Sequence, residues 1–210
     1  HEGAVLNHLR IQTDSLSASN IGNTVVKVRD KARYNNFCFN MGAKLARNEI
    51  RGQVAGHQSD LHLIGANLVA DAADGKGQHL DTTTFIDHSH ADTTSNELYK
   101  TVLRGSANSV FQGKIEVQED SQRIVGNQMS RALMLSPTAQ INTKPELEIY
   151  ADDVKCSHGS TTGQLDEDAI YYLRTRGISK KAAREIFDTQ LPEKKSSGKW
   201  FAALFVVSIF

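Results

Sequence analysis

The 210-residue sequence contains only two cysteines and three prolines, and it has no excess of charge of either sign. Cys38 and Cys156 are too few for the disulfide framework of a small secreted protein. The N-terminus lacks the charged segment followed by an apolar segment that marks a secretory signal. The sequence therefore predicts a chain that works in a reducing, intracellular compartment. Cys38 lies between two phenylalanines, and we expect it to be a buried core residue.

The balanced charge argues against two classes of partner. Lysine plus arginine and aspartate plus glutamate number 24 each, so no overall positive field attracts nucleic acid or an anionic membrane surface. The most apolar segment, residues 200–210, is about half as long as a membrane-spanning helix, and we expect it to pack or dock. The sequence also lacks a phosphate-binding loop, so no directly bound nucleotide is predicted.

Between residues 5 and 156, apolar residues occur in short alternating segments separated by glycine, asparagine, aspartate and serine. Such segments predict strands with one buried and one solvated face. The clearest are residues 49–54, 60–63, 84–87, 109–117 and 146–150. No helix-length segment with helical spacing separates them, which excludes a doubly wound α/β fold and leaves a sandwich, a barrel or a solenoid. Loose recurrence of glycine-punctuated strands favours the solenoid.

The pattern becomes helical near residue 164. Acidic residues at 166–168 suit the first turn of a helix, and apolar residues follow at helical spacing until Gly177 ends it. Ser179 is predicted to cap a second helix over residues 180–187. The sequence therefore predicts two domains, a β core over residues 1–163 and a helical domain over residues 164–210.

Cys156 and His158 lie two residues apart at the end of the β region. On a strand this spacing places both side chains on one face, with Cα atoms roughly 6.6 Å apart, so they could converge on a metal. A thiolate with an imidazole suits iron, zinc or a sulfur-bearing cluster. Two ligands do not complete a site, and a partner chain could supply the rest. The alternative is a small buried cysteine beside a hydrogen-bonded histidine.

His88 and His90 have the same spacing and suggest a second hypothesis, a mononuclear metalloenzyme of the cupin type. A cupin requires a glutamate three or four residues beyond the second histidine. Here Asp92 comes too early and Glu97 too late. The simpler interpretation is that both histidines hydrogen-bond to neighbouring turns of the β structure.

Three segments carry a resemblance to a known family. They are NELYK at residues 96–100, GKI at 113–115 and KPELEIYADDVKCSHG at 144–159, and YYLRTRGI at 171–178 extends them. These segments resemble the SufB/SufD family of iron-sulfur cluster assembly proteins, and the likeness covers residues 2 to 187. The motif Cys-Ser-His-Gly resembles SufD, since SufB usually carries a glutamate-bearing sequence there.

The resemblance implies a right-handed parallel β-helix core followed by a small α-helical domain. It also implies a non-catalytic scaffold subunit that supports iron acquisition and the assembly and transfer of iron-sulfur clusters. In such a protein His158, with Cys156 as a supporting ligand, would contact iron or a nascent cluster that is transient and shared with SufB. A metal-free structural β-solenoid that only binds partners remains the alternative.

The resemblance further implies partners. A SufB-like paralogue would pair through the β-helix cores, and a SufC-like ATPase would dock on the helical domain, for which Tyr171, Arg174, Arg176 and Gly177 are the candidate residues. A homodimer is a further possibility, because a solenoid has open strand edges. The expected location is the cytoplasm, or the plastid stroma in a photosynthetic eukaryote. Family members carry a longer N-terminal region, so we expect this chain to be a fragment or a truncated form.

Overall fold

The computed structural model describes residues 1–164, 167–180 and 182–183 of the chain. Within these residues the chain forms eleven strands and one helix. The elements are β1 (Val5–Gln12), β2 (Ser19–Val28), β3 (Arg33–Met41), β4 (Leu45–Val54), β5 (Asp60–Val69), β6 (His79–His88), β7 (Thr94–Leu103), β8 (Asn108–Val117), β9 (Ile124–Met134), β10 (Gln140–Ile149), β11 (Val154–Gln164) and α1 (Glu167–Thr175).

The strands alternate between two sheets. One sheet has the order β1-β3-β5-β7-β9-β11, and the other has the order β10-β8-β6-β4-β2. The pairing is parallel, so that Arg33 lies beside Asp60 and Asp60 beside Thr94 on successive coils. This connectivity is a parallel β-helix, in which each coil contributes one strand to each sheet. The predicted solenoid is therefore confirmed, and the sandwich and the barrel are excluded.

The predicted strand segments lie in observed strands, except that Tyr150 comes just after the end of β10, and the observed strands begin earlier than predicted or continue further. Residues 109–117 match β8 almost completely, while residues 60–63 cover only the first part of β5. In β6 and β8 buried residues alternate with more accessible ones, as the sequence predicts for strands with two different faces. The strands that were not predicted individually include β7 and β9, which carry polar residues on their buried faces.

The apolar core fills the interior of the coils. Ile50, Leu63, Ile86 and Ile115 have no measurable exposure and belong to one cluster. A second cluster includes Leu80 and Leu103. Complete burial of a side chain of this size contributes roughly 1.5–3 kcal/mol, so stacked layers of such residues supply most of the stabilisation of the solenoid.

Buried amides connect successive coils. Asn40 Nδ2 donates to Asn67 Oδ1 at 2.8 Å, and Asn67 Nδ2 donates to Thr101 Oγ1 at 3.1 Å. All three side chains are almost completely buried. A shift of one residue between the coils would leave these polar groups without partners, so the row favours one register.

By its backbone contacts the chain divides into two compact units, His1–Gly163 and Gln164–Phe210. In the second unit, α1 ends as predicted near Gly177, whose φ of +86° is a conformation that glycine adopts without strain. Ser179 Oγ accepts a hydrogen bond from the Ala182 amide at 3.1 Å, which is the predicted N-cap contact. The rest of the predicted second helix and the apolar segment at residues 200–210 lie outside the described residues. The assignment of the two units as separate domains stays a prediction.

A membrane-spanning helix is not found in the part of the chain that the structure describes: no helix there is both long and apolar enough to cross a bilayer.

Candidate functional site

Cys156 and His158 both lie on β11, the last strand of the six-stranded sheet. Among the described strands, β11 has one neighbour in the sheet, β9, and its other side is an edge. An edge strand presents backbone N–H and C=O groups that a further strand can pair with. The predicted pair of ligands therefore lies at the open end of the six-stranded sheet.

Side-chain contacts define how β11 lies beside β9. Ser157 Oγ donates to Asn127 Oδ1 at 2.8 Å. A Cβ atom added to Gly126 would lie 3.2 Å from Cys156 Sγ, and one added to Gly159 would lie 3.0 Å from Met129 Cε. In each contact the residue of β11 comes 30 positions after its neighbour on β9. The same separation places His158 beside Gln128.

The two faces of β11 differ in their surroundings. Ser157 is exposed and bonds to the exposed Asn127, whereas Cys156 packs against the apolar core beside the buried Gly126. Side chains two residues apart on a strand share a face. Cys156 and His158 therefore lie on the face that continues the interior of the coils, as the spacing predicts.

Cys156 is half-buried, and burial raises the pKa of its thiol above the usual value, while a hydrogen bond with the backbone of Gly126 opposes the shift. The thiol is therefore protonated near neutral pH, and a metal ion that binds there must displace the proton. The absence of a side chain at Gly126 leaves the space that the sulfur atom occupies.

His158 is exposed. Its ring follows the inner face of β11 but lies at the end of the solenoid, where in the described part of the chain no further strand covers it. The exposed imidazole is therefore accessible to solvent. Whether His158 and Cys156 bind iron stays a prediction.

A complete metal site is not found in the residues that the structure describes, because no group of three or more histidine, cysteine, aspartate or glutamate side chains there could hold an ion. Cys156 and His158 thus supply at most two of the four ligands that tetrahedral iron or zinc takes. The remaining ligands would come from a partner or from solvent.

His88 lies in the closed interior of the β-helix and not in an open site. It is fully buried, with Nδ1 at 2.7 Å from Thr93 Oγ1 and Nε2 at 2.8 Å from Ser95 Oγ. Burial lowers the pKa of the imidazole to about 4, so the ring is neutral at physiological pH. Because both ring nitrogens are engaged with hydroxyl groups, His88 has no lone pair available for a metal.

His90 bonds locally, with Nδ1 at 3.0 Å from the carbonyl oxygen of Ala91. Both histidines therefore form hydrogen bonds within the β structure, as the simpler interpretation expects. The engagement of both ring nitrogens of His88 argues against a cupin-type metal site.

Cys38 is a core residue, as predicted. It is 1% exposed, and its thiol donates to Asn36 Oδ1 at 2.9 Å. Burial raises the pKa of this thiol, which makes it a poor nucleophile.

The sequence did not indicate a role for Glu97 and Gln128, which form a buried pair inside the coils. Gln128 Nε2 donates to Glu97 Oε2 at 2.7 Å, and the two residues are paired across β7 and β9. Burial raises the pKa of Glu97 to about 7, although the neighbouring Thr84 hydroxyl and the hydrogen bond from Gln128 oppose the rise. The signal in the sequence is that Glu97 alternates with Ser95 and Tyr99, which places all three on one face of β7.

On the helical side, the residues predicted to bind a partner are accessible. Tyr171 is 65% exposed, and Arg174, Arg176 and Gly177 are also exposed. The Arg176 guanidinium donates to the Tyr172 hydroxyl at 3.0 Å and lies over its ring. Their role in partner binding stays a prediction.

A family model described as "SUF system FeS cluster assembly, SufBD core domain" matches residues 1–188 of the chain. The chain belongs to the SufBD core family. The resemblance to the SufB/SufD family that the sequence motifs predict is thereby confirmed.

Similar proteins come from bacteria and from a chloroplast. An iron-sulfur cluster assembly SufBD family protein of Synechocystis is 36% identical over 185 residues, which cover 88% of this SufBD core chain and 40% of the relative. The iron-sulfur cluster assembly protein SufD of Escherichia coli is 31% identical over 87% of the chain and 42% of its own length. The chloroplastic protein ABCI7 of Arabidopsis thaliana is 32% identical over 87% of the chain and 38% of its own length. The chain therefore spans about two fifths of these relatives.

Proposed function

We propose that this chain is a non-catalytic scaffold subunit in iron-sulfur cluster assembly and that His158, with Cys156, contacts iron or a nascent cluster shared with a SufB-like partner. The observation that carries the proposal is the placement of these two side chains. They share one face of an edge strand at the open end of the solenoid, with the imidazole exposed and the thiol half-buried. Family membership supports the class of process.

The two ligands would act differently. A neutral imidazole binds a metal ion through the lone pair of a ring nitrogen, without first losing a proton. The raised pKa of Cys156 means that its thiol binds only when the metal displaces the proton. His158 would therefore make the first contact, and Cys156 would support it. Iron or the cluster is the cargo of the complex and passes on to recipient proteins.

The edge of β11 supports pairing with a second β-helix. A SufB-like paralogue that adds a strand there would bring its own ligands next to His158 and complete the site. A second copy of this chain could use the same edge, because the backbone groups are the same, and its own Cys156 and His158 would also bring the number of ligands to four. We propose the heterodimer as the functional unit because the Cys-Ser-His-Gly motif resembles SufD, which the family resemblance pairs with SufB.

The helical residues would serve a separate contact. Tyr171, Arg174 and Arg176 are exposed on or just after α1, and Gly177 sets the turn that follows. We propose that they contribute to docking a SufC-like ATPase, which would bind and hydrolyse the nucleotide. This chain would bind no nucleotide itself. The proposed location is the cytoplasm of a bacterium or the stroma of a plastid.

The test compares the native chain with a His158→Ala variant in complex with a SufB-like partner. Iron content and transfer to an apo-protein should fall in the variant, while size-exclusion chromatography shows an intact complex. His62→Ala is a matched control, because His62 lies half-buried on β5 away from the site. Unchanged iron content and transfer in the intact His158→Ala complex would leave the metal-free structural module as the function.

A further inference from the structure

The interior of the β-helix contains a carboxyl group that is almost completely removed from water. Glu97 is 1% exposed, and Gln128, which donates to it, is 2% exposed. An isolated charge at such a position is costly, so burial favours the protonated acid. Glu97 and Gln128 therefore form a neutral hydrogen-bonded pair or a carboxylate held by an amide, depending on pH.

The chain makes room for the amide of Gln128. A Cβ atom added to Gly113, on the facing sheet, would collide with Gln128 Nε2 and lie 2.9 Å from Phe111 Cζ. Only glycine at this position leaves the amide in its place. The orientation of Gln128 is thus determined on one side by Glu97 and on the other by the backbone of β8.

This pair lies in the same row as the candidate ligand. Leu63, Glu97 and Gln128 are paired in register on β5, β7 and β9. The contacts between β9 and β11 place His158 next in that row, on the same inner face. A buried acid, a buried amide and an exposed imidazole therefore follow one another toward the end of the solenoid.

Two buried acceptors in the row, Glu97 Oε1 and Gln128 Oε1, have no hydrogen-bond partner among the described residues. Gln128 is the one that lies next to the row position of His158. Gln128 Nε2 donates to Glu97. Oε1 of the same amide can therefore accept a hydrogen bond from the next residue in the row, His158. A buried acceptor without a partner costs about 1–3 kcal/mol, so a donor that reaches it is favoured.

We propose that Gln128 is a positioning residue whose Oε1 accepts a hydrogen bond from a ring N–H of His158. This inference rests on the proposed function of His158. Forming the bond requires a rotation of the exposed imidazole. The bond would hold the ring in one tautomer and leave the lone pair of its other nitrogen for iron, as metal-bound histidines in proteins commonly donate their second nitrogen to an oxygen. Glu97 would act through Gln128 by fixing which end of the amide faces His158.

The first test needs no metal. An exposed imidazole N–H exchanges with water too quickly to be observed, whereas a hydrogen-bonded one gives a resolved proton resonance. We expect such a resonance from the 210-residue chain labelled with ¹⁵N-histidine, assigned by its loss in His158→Ala. It should disappear in Gln128→Leu and persist in Ser130→Ala, a control at the next inward position of β9. Glu97→Gln retains an acceptor for Gln128 and should preserve the resonance, whereas Glu97→Leu should weaken it.

The second readout is the affinity of the complex with the SufB-like partner for Fe²⁺, which should fall about 10- to 100-fold in Gln128→Leu. If that variant does not fold, Gln128→Met and Glu97→Leu replace it. Absence of the resonance in the native chain, its persistence in folded Gln128→Leu, or an unchanged Fe²⁺ affinity would each overturn the proposal. Failure of the proposed function is distinct, because it appears as unchanged iron binding in His158→Ala whatever the resonance shows.

Discussion

Gln128 Nε2 lies 2.7 Å from Glu97 Oε2 inside the β-helix, although the two residues are 31 positions apart in the sequence. His88, equally buried, is held between Thr93 and Ser95. Burial raises the pKa of Glu97 to about 7 and lowers that of His88 to about 4. The two buried groups therefore give opposite pH dependences of stability, which oppose each other in the native chain.

The first prediction concerns Glu97. Between its ordinary pKa of 4.5 and its folded value of about 7, the folded state holds a proton that the unfolded state has lost, so stability falls as pH rises. The full loss is on the order of 3 kcal/mol above pH 7. Glu97→Gln removes this loss. The free energy of unfolding of this variant, measured with urea from pH 4 to 8, should rise toward pH 6.5 because the contribution of His88 remains. Glu119→Gln, at an exposed loop position, is the control and should follow the native curve.

The second prediction concerns His88. Its folded pKa of about 4 lies below the ordinary 6.5, so between these values the unfolded state binds the additional proton. The contribution of His88 is therefore fully present above pH 6.5 and is lost as pH falls toward 4. In His88→Gln this contribution is absent, and stability should fall between pH 4.5 and 7 because only the effect of Glu97 remains. Parallel curves for native and variant chains would contradict the assigned environment.

A third prediction concerns the space at Gly113. Gly113→Ala places a methyl group against the Gln128 amide and the Phe111 ring, and overpacking of this kind costs about 1–3 kcal/mol. Gly163→Ala is the matched control, because a Cβ there meets Leu133 at an ordinary 3.7 Å. Urea unfolding at pH 7 measures both. Equal stabilities of the two variants would show that the amide of Gln128 can move aside.

The fourth prediction distinguishes the two thiols. Cys38 is 1% exposed and bonded to Asn36, whereas Cys156 is half-buried at the end of the solenoid. Iodoacetamide should therefore label one thiol in the native chain and both after unfolding. Mass spectrometry identifies the labelled residue, and Cys156→Ser should remove the native labelling. Labelling of Cys38 before unfolding would contradict the packing of the core.

Much of the local structure followed from the sequence. The alternation at residues 109–117 predicts β8, because side chains of a strand point to opposite faces and only one face is buried. The two-residue spacing of Cys156 and His158 predicts their shared face for the same reason. Gly177 and Ser179 predict the end of one helix and the cap of the next, because each effect depends on a few consecutive residues.

The neighbours across coils did not follow from the sequence. Arg33 pairs with Asp60, and Asp60 with Thr94, so the spacing between stacked residues changes from one coil to the next and leaves no constant repeat to detect. The His88 and His90 motif illustrates the consequence. Its spacing is that of a ligand pair, yet Thr93 and Ser95 occupy both nitrogens of His88.

The sequence by itself determined the β character of the first 163 residues, the shared face of Cys156 and His158, and the family, because these depend on residues that are close together or on motifs. Only the tertiary structure decided that Cys156 is half-buried, that His158 stays exposed, and that Glu97 lies beside Gln128. Burial and hydrogen bonding depend on which coil lies above which, and loops of unequal length set that stacking.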